Sequence, residues 1–381
     1  MSLRLLLLVC LSFSALTTGC KRTGGAADIP VGHYASLTGS EATFGQSTDN
    51  GFMLAIEEFN TAGGLDGKKI RAITLDDKGV PSEAGTAVTR LITSDRVVCV
   101  IGEVASGLSL AGGAVCQDLG VPMISPSSTN TKVTQIGPMI SRVCFLDPFQ
   151  AWACAKFLRT HEGVKAEKAA ILYDQKSPYS EQLATEFEKS FVSMGGQIVK
   201  KQSFTSGDQD YSAQLTAIRS ESPDAIFVPC YYSDAGNVAV QARKLGITVP
   251  LMGGDGWDSS KLAEIGGAAI EGCFYSNHYS HEDPSPTIQQ FVTKYKEKYG
   301  KTPDALAALG YDAARVFLKA LKDTKSEDPA VLAKAIAATK DFDGVTGKIT
   351  LDENRDPVKP ATIIVMKGGQ PSMVTIIAPE K

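Results

Sequence analysis

From Asp28 onward, short apolar runs of strand length alternate with segments whose apolar residues recur at helical spacing. Residues 29–35 read as a strand. Phe52, Ala55, Ile56 and Phe59 then mark one face of a helix that stops at Gly63-Gly64. A strand at 70–75, a helix at 83–93, a strand at 97–102, a helix at about 108–119 and a strand at 121–125 continue the alternation. The rhythm restarts after Asp147-Pro148, with strands at 169–173, 197–203, 225–229, 250–253 and 273–276. Helices at 181–194, 211–220, 235–245 and just after Ser259 separate them. Three helical patterns run from 287 to about 339, and 361–365 with 374–377 supply late strands. The pattern predicts an α/β protein of two successive doubly wound halves, with helices on both faces of each parallel sheet.

In such sheets ligands bind beyond the carboxyl ends of the strands, where helix N-termini face the cleft. That selects the loops at 36–46, 103–108, 125–130, 174–179, 231–236 and 254–259. Two are rich in hydroxyls: Ala105-Ser106-Gly107-Leu108-Ser109 precedes a helix, and Ser125-Pro126-Ser127-Ser128-Thr129-Asn130 closes a strand. Helix capping accounts for any one such serine. Two hydroxyl loops at equivalent points of one sheet point to a carboxylate or another small anion. The second half offers the complement. Asp255 lies among glycines in Met252-Gly253-Gly254-Asp255-Gly256-Trp257, and Tyr231 and Asp234 stand at another strand end. A carboxylate there suits an ammonium group, or serves an Asx turn. Phe44, Tyr179 and Trp257 are rim aromatics able to wall an apolar pocket.

Composition narrows the function. The formal net charge is −4 and basic runs are lacking, which argues against a nucleic-acid partner. Arg4 precedes an apolar run from Leu5 to Leu16, which ends in Thr17-Thr18-Gly19 before Cys20. The run is too short to span a bilayer and reads as a removed secretory signal. A cysteine at the cleavage point resembles a bacterial lipobox, although Thr17 stands where an apolar residue is usual. Cys20 is therefore the expected lipidation site, and the folded part is expected outside the cytoplasm on a membrane anchor. No second apolar stretch approaches spanning length. Six cysteines remain in the mature part: Cys99, Cys116, Cys144, Cys154, Cys230 and Cys273. They match no zinc spacing, and either disulfides or buried free thiols are consistent with their contexts.

The order of several motifs resembles the leucine/isoleucine/valine-binding proteins of ABC importers. They are Leu37-Thr38-Gly39, Phe59-Asn60-Thr61-Ala62-Gly63-Gly64-Leu65-Asp66-Gly67, Asp76-Asp77, Val100-Ile101-Gly102, Val121-Pro122-Met123-Ile124-Ser125-Pro126 and Leu251-Met252-Gly253 ahead of Asp255. The resemblance implies two Rossmann-like lobes joined by three hinge crossovers that close over a ligand, a type I periplasmic binding protein. It implies a signal at 1–19, a tether at 20–27, one lobe from 28–146 with 280–358, and another from 147–279 with 359–381. By the same resemblance Ser106, Ser127 and Thr129 hold an amino acid's α-carboxylate, and Tyr231 and Asp255 its α-ammonium. Val104, Phe44 and Tyr179 lie near the side chain. Asp255 replaces the glutamate of the best-known members, and Trp257 replaces a small residue, which is expected to reshape the pocket. A disulfide of some members would fall at Gly79 and Ala105 and is absent. The expected partners are an amino acid, most simply Leu, Ile or Val, and ABC permease subunits. The protein is expected to be a monomer without cofactor or metal. The alternative is a sensing lipoprotein of the same fold for urea, an amide or an aromatic acid, presented to a separate receptor.

Enzyme readings find little support. Gly107-Leu108-Ser109-Leu110-Ala111 departs from the nucleophile-elbow pattern at its last residue. Gly63-Gly64-Leu65-Asp66-Gly67-Lys68-Lys69 lacks Walker spacing. His278 and His281 admit a metal by composition, yet Pro284 and the polar surroundings read as a solvated loop crossing between lobes.

Overall fold

The computed structural model describes residues 28–379. The expected leader, tether and Cys20 lie outside the described residues. The first half runs β1 (Ile29–Ala35), α1 (Ala42–Thr61), β2 (Ile70–Asp76), α2 (Pro81–Thr93), β3 (Val100–Ile101), α3 (Ser106–Leu119), β4 (Met123–Ser125), α4 (Lys132–Gln135) and β5 (Ile140–Arg142). Its strands form a parallel sheet in the order β2-β1-β3-β4-β5. The second half runs α5 (Asp147–Thr160), β6 (Lys168–Asp174), α6 (Pro178–Ser193), β7 (Gln197–Phe204), α7 (Ser212–Ser220), β8 (Ala225–Phe227), α8 (Tyr232–Lys244), β9 (Leu251–Gly253), a 3-10 turn (Asp255–Trp257), α9 (Ser260–Gly266) and β10 (Phe274–Asn277). Then follow α10 (Pro286–Tyr299), α11 (Ala305–Thr324), α12 (Pro329–Ala337), a small hairpin of β11 (Phe342–Gly344) and β12 (Gly347–Ile349), β13 (Ala361–Lys367) and β14 (Gln370–Ile377). The second sheet has the order β14-β13-β10-β9-β8-β6-β7, with β13 antiparallel to β10 and to β14.

The inner strands of both sheets are buried on two faces and are nearly continuous apolar runs, while the edge strands β2, β7 and β14 are partly exposed. On one face of the first, Val88 and Leu91 of α2 and Leu108 of α3 pack with Val100, Met123 and Ile140 of the strands. The other face carries Phe52 and Ile56 of α1 with Leu309 and Phe317 of α11. Helices α1 and α11 approach at glycines: a Cβ on Gly51 would fall 1.9 Å from the Ala307 carbonyl oxygen, and one on Gly310 2.4 Å from that of Thr48. This contact binds the late helices to the first sheet. Phe157, Phe187 and Phe227 form one core of the second sheet, while Leu215, Ile226 and Val238 fill the other.

The chain passes between the sheets three times: after β5, after β10 and before β13. Buried Lys359 on the third passage donates to the Val143 carbonyl on the first at 3.0 Å. Arg142, wholly buried at the end of β5, pairs through Nε with Asp356 at 2.6 Å. The same guanidinium donates to the Ser128 carbonyl and, at 3.1 Å, to Thr134 Oγ1. These bonds fasten the passages to the loop that carries Ser127 and Thr129.

Candidate functional site

A small pocket lies between the two sheets, at their carboxyl ends. It is lined by Phe44, Val104, Ser106, Ser127, Thr129, Tyr179, Tyr231, Asp255, Gly256 and Leu306. About 240 Å³ of space separates these side chains. The ten lining residues close around a space of small-solute size.

One end is built from hydroxyls. Helix α3 starts at Ser106 without a side-chain cap, so its first N–H groups are left to an acceptor in the cleft. Ser127 Oγ and Thr129 Oγ1 are buried without partners. The alternating residues of the same loop are committed instead. Ser125 Oγ and Ser128 Oγ each donate to the Glu103 carbonyl at 3.0 Å, tying the two hydroxyl loops together. Buried Glu103 accepts from Ser36 N–H at 3.1 Å and from Ala105 N–H at 2.5 Å, fixing the approach to Ser106. Burial, and then the nearby Asp77, pushes its carboxyl well above the usual carboxylate range.

The opposite end is acidic. Asp255 Oδ1 accepts from Tyr179 Oη at 2.9 Å and from Gln150 Nε2 at 2.8 Å, while Oδ2 meets His278 Nε2 at 2.9 Å. A carboxylate has about four acceptor positions, and three are filled by protein donors, leaving one for a ligand. Between the two ends runs an aromatic wall. The rings of Tyr179 and Tyr231 stack at 5.2 Å with planes 6° apart, and Phe44 meets Tyr231 edge-on at 5.5 Å. Val104 and Leu306 supply aliphatic surface.

Hydrogen bonds cross the cleft around the pocket. Tyr232 Oη donates to the Ser40 carbonyl at 2.7 Å, Thr43 Oγ1 meets Ser259 Oγ at 2.9 Å, and Asn130 Nδ2 donates to the Pro178 carbonyl at 2.7 Å. The two halves therefore stand closed on each other.

Eight of the nine ligand-site residues read from the sequence converge here. Trp257 does not. Its indole is wholly buried in the second half, its Nε1–H donates to the Val228 carbonyl at 3.0 Å, and it faces Gly253, where a Cβ would fall 2.2 Å from the ring. Successive side chains of a 3-10 turn diverge by about a third of a turn, so Asp255 reaches the cleft and Trp257 the core. Asp234 is also structural, accepting from Ser206 Oγ at 2.6 Å and Tyr211 Oη at 3.0 Å.

His278 overturns the expectation of a solvated crossing: it is buried, and it belongs to the site through Asp255. Gln150 and Leu306 join it as site residues the sequence reading missed. Gln150 sits in α5, a helix that reading left out, and Leu306 in the first turn of α11. Among the described residues no group of three or more His, Cys, Asp or Glu side chains is placed to hold a metal. The six cysteines are free and buried, and burial pushes the thiols of Cys144 and Cys154 up to about 12.

Residues 28–370 match the family model described as periplasmic binding protein. The chain belongs to the periplasmic binding protein family. It is 31% identical over 346 residues to the Leu/Ile/Val-binding protein homolog 1 of Brucella suis, covering 90% of this chain and 91% of that one. The leucine-binding protein LivK of Thermotoga maritima superposes with a TM-score of 0.88 at 39% identity, over 92% of this chain and 99% of that chain. The LivJ protein of Streptococcus pneumoniae, solved with isoleucine, superposes with a TM-score of 0.87 at 32% identity, over 92% and 100% of the two chains. The fold is that of a type I periplasmic binding protein. No helix among the described residues is long and apolar enough to cross a membrane.

Proposed function

We propose that this periplasmic binding protein captures an α-amino acid, a branched-chain aliphatic one, between its two halves and delivers it to the permease of an ABC importer. The observation that carries the reading is the polarity of the pocket. Unpartnered Ser127 and Thr129 hydroxyls stand at one end, and the Asp255 carboxylate, held by three donors, stands at the other. A buried zwitterion loses hydration at both charges, and each charge then requires its own partners. Urea has no charges to match these ends, and an aromatic acid has nothing for Asp255. The Val104, Leu306 and Phe44 surface suits a short aliphatic side chain. The closing bodies are taken as 28–146 with 280–358, and 147–279 with 359–381. Ligand-dependent closure would present the permease with a shape that the empty protein lacks. The reading is of a carrier, which is the role that membership of the periplasmic binding protein family supports.

A thermal-shift screen of the chain lacking residues 1–20 tests the ligand class, because any solute that binds only the folded state raises the melting point. Leu, Ile and Val are expected to shift it, while urea, short amides and aromatic acids leave it in place. The reverse pattern overturns the ligand assignment. The proposal extends to export and to lipidation at Cys20, after removal of residues 1–19. Cys20→Ala should release the protein from the membrane fraction, and a variant that stays membrane-bound contradicts the anchor.

A further inference from the structure

His278 stands where the pocket meets all three passages between the halves. It follows β10 directly, at the start of the second passage. Its ring stacks on Phe145 of the first passage, with centroids 3.8 Å apart and planes at 24°. Lys359 of the third passage is the basic group that faces it, and it is bonded in turn to the Val143 carbonyl of the first. The acidic groups around the ring are Asp255 in direct contact, Asp258 just beyond the 3-10 turn, and Asp147 at the start of α5, which acts on Asp255.

A carboxylate accepts only, so the ring nitrogen facing Asp255 Oδ2 carries the hydrogen, and Nδ1 is the bare nitrogen, buried without a partner. Burial pulls the imidazole below its ordinary value of 6.5, against the opposing pull of Asp255, and it is neutral near pH 7. A neutral donor orients the carboxylate without cancelling its charge. The full negative charge of Asp255 then stays available for a ligand.

We propose that His278 is the positioning residue for ligand-ammonium recognition, holding the Asp255 carboxylate through Nε2–H and tying it, through Phe145, to the hinge passages. This rests on the reading of Asp255 as the ammonium partner. Protonating His278 turns the pair into an internal ion pair that competes with the ligand's ammonium, so affinity for a zwitterion falls as the medium becomes acidic.

The test is calorimetric titration of the mature chain with L-leucine and with 4-methylpentanoate, which lacks the ammonium, between pH 5 and 8. Wild type, His278→Gln, His278→Phe and Asp255→Asn are compared, with ligand-free melting points as the control for folding. Loss of one charge-assisted hydrogen bond is expected to weaken leucine binding about tenfold in His278→Phe. The amide of His278→Gln restores most of it. Wild type loses leucine affinity toward the acidic end of that range, and His278→Gln lacks that acid limb. Should His278→Phe fail to fold, the wild-type and His278→Gln pH profiles decide alone, and an identical acid limb in both overturns the proposal. Full leucine affinity in His278→Phe, with affinity lost in Asp255→Asn, removes the positioning role and leaves the ligand reading intact. Unchanged affinity in Asp255→Asn removes the ligand reading itself, and the positioning role with it.

Discussion

Gln182 and Thr131 are joined twice across the cleft: the Thr131 N–H donates to Gln182 Oε1 at 2.9 Å, and Gln182 Nε2 donates to Thr131 Oγ1 at 2.6 Å. Gln182 lies on α6 of the second half, and Thr131 follows the hydroxyl loop of the first. Neither residue lines the pocket, so the energy of the pair goes into the closed arrangement and not into any ligand group.

Gln182→Ala should therefore weaken every ligand by the same factor. Two partly exposed bonds are worth about 0.5–1.5 kcal/mol each, which corresponds to an increase in Kd of about 5- to 150-fold if closure and binding are fully coupled. Kd values for Leu, Ile and Val check this. A changed order of preference among the three would show that Gln182 shapes the pocket.

Trp257 was expected to set side-chain preference, and its position in the second-half core changes the prediction. Trp257→Ala removes a wholly buried indole and leaves the Val228 carbonyl without its donor. Denaturant unfolding should show a loss of about 3–5 kcal/mol in stability. Ligand preference in the remaining folded protein should be that of wild type, and a broadened range of accepted side chains would return Trp257 to the pocket.

Asp304 and Asp258 both line a larger cavity that shares no lining residue with the ligand pocket. Burial, and then Asp258, pushes Asp304 from 3.8 up to about 7. Because the folded form holds this proton more tightly than the unfolded chain, its contribution to stability is complete below about pH 3.8 and is lost as the pH rises through about 7. Asp304→Asn keeps an oxygen for the Ala307 N–H at the start of α11 and carries no charge. The variant should melt higher than wild type at pH 8, with the difference vanishing near pH 4. A lower melting point at pH 8 would mean that the charge itself supports the fold.

Much of this architecture was legible in the chain, and the exceptions have physical causes. The inner strands of both sheets announce themselves because burial on two faces demands unbroken apolar runs such as Ala169 to Leu172. Helix α5 did not. Its buried face carries Asp147, Gln150, Ala151, Cys154, Phe157 and Leu158 at helical spacing, and the two polar residues that open it hide the apolar stripe. Helix α1 begins at Ala42, ten residues ahead of Phe52, since its polar first turns pack on α11 through Gly51 and Gly310. Strand β5 ends in an arginine, which reads as surface until Asp356 is found beside it. In the site, the hydroxyl loops and Asp255 were legible from their places at strand ends. His278 was not, because its burial depends on Phe145 and Asp255, neither of them near it in sequence.

Binding of three molecules that share one isobutyl group to the mature chain tests the two charged ends of the pocket most directly. Calorimetry should show saturable binding of L-leucine, and binding weaker by about 100-fold or more for 4-methylpentanoate, which has no ammonium, and for 3-methylbutylamine, which has no carboxylate. Equal binding of leucine and 4-methylpentanoate would contradict the role of Asp255. No binding of leucine at all would contradict the account as a whole.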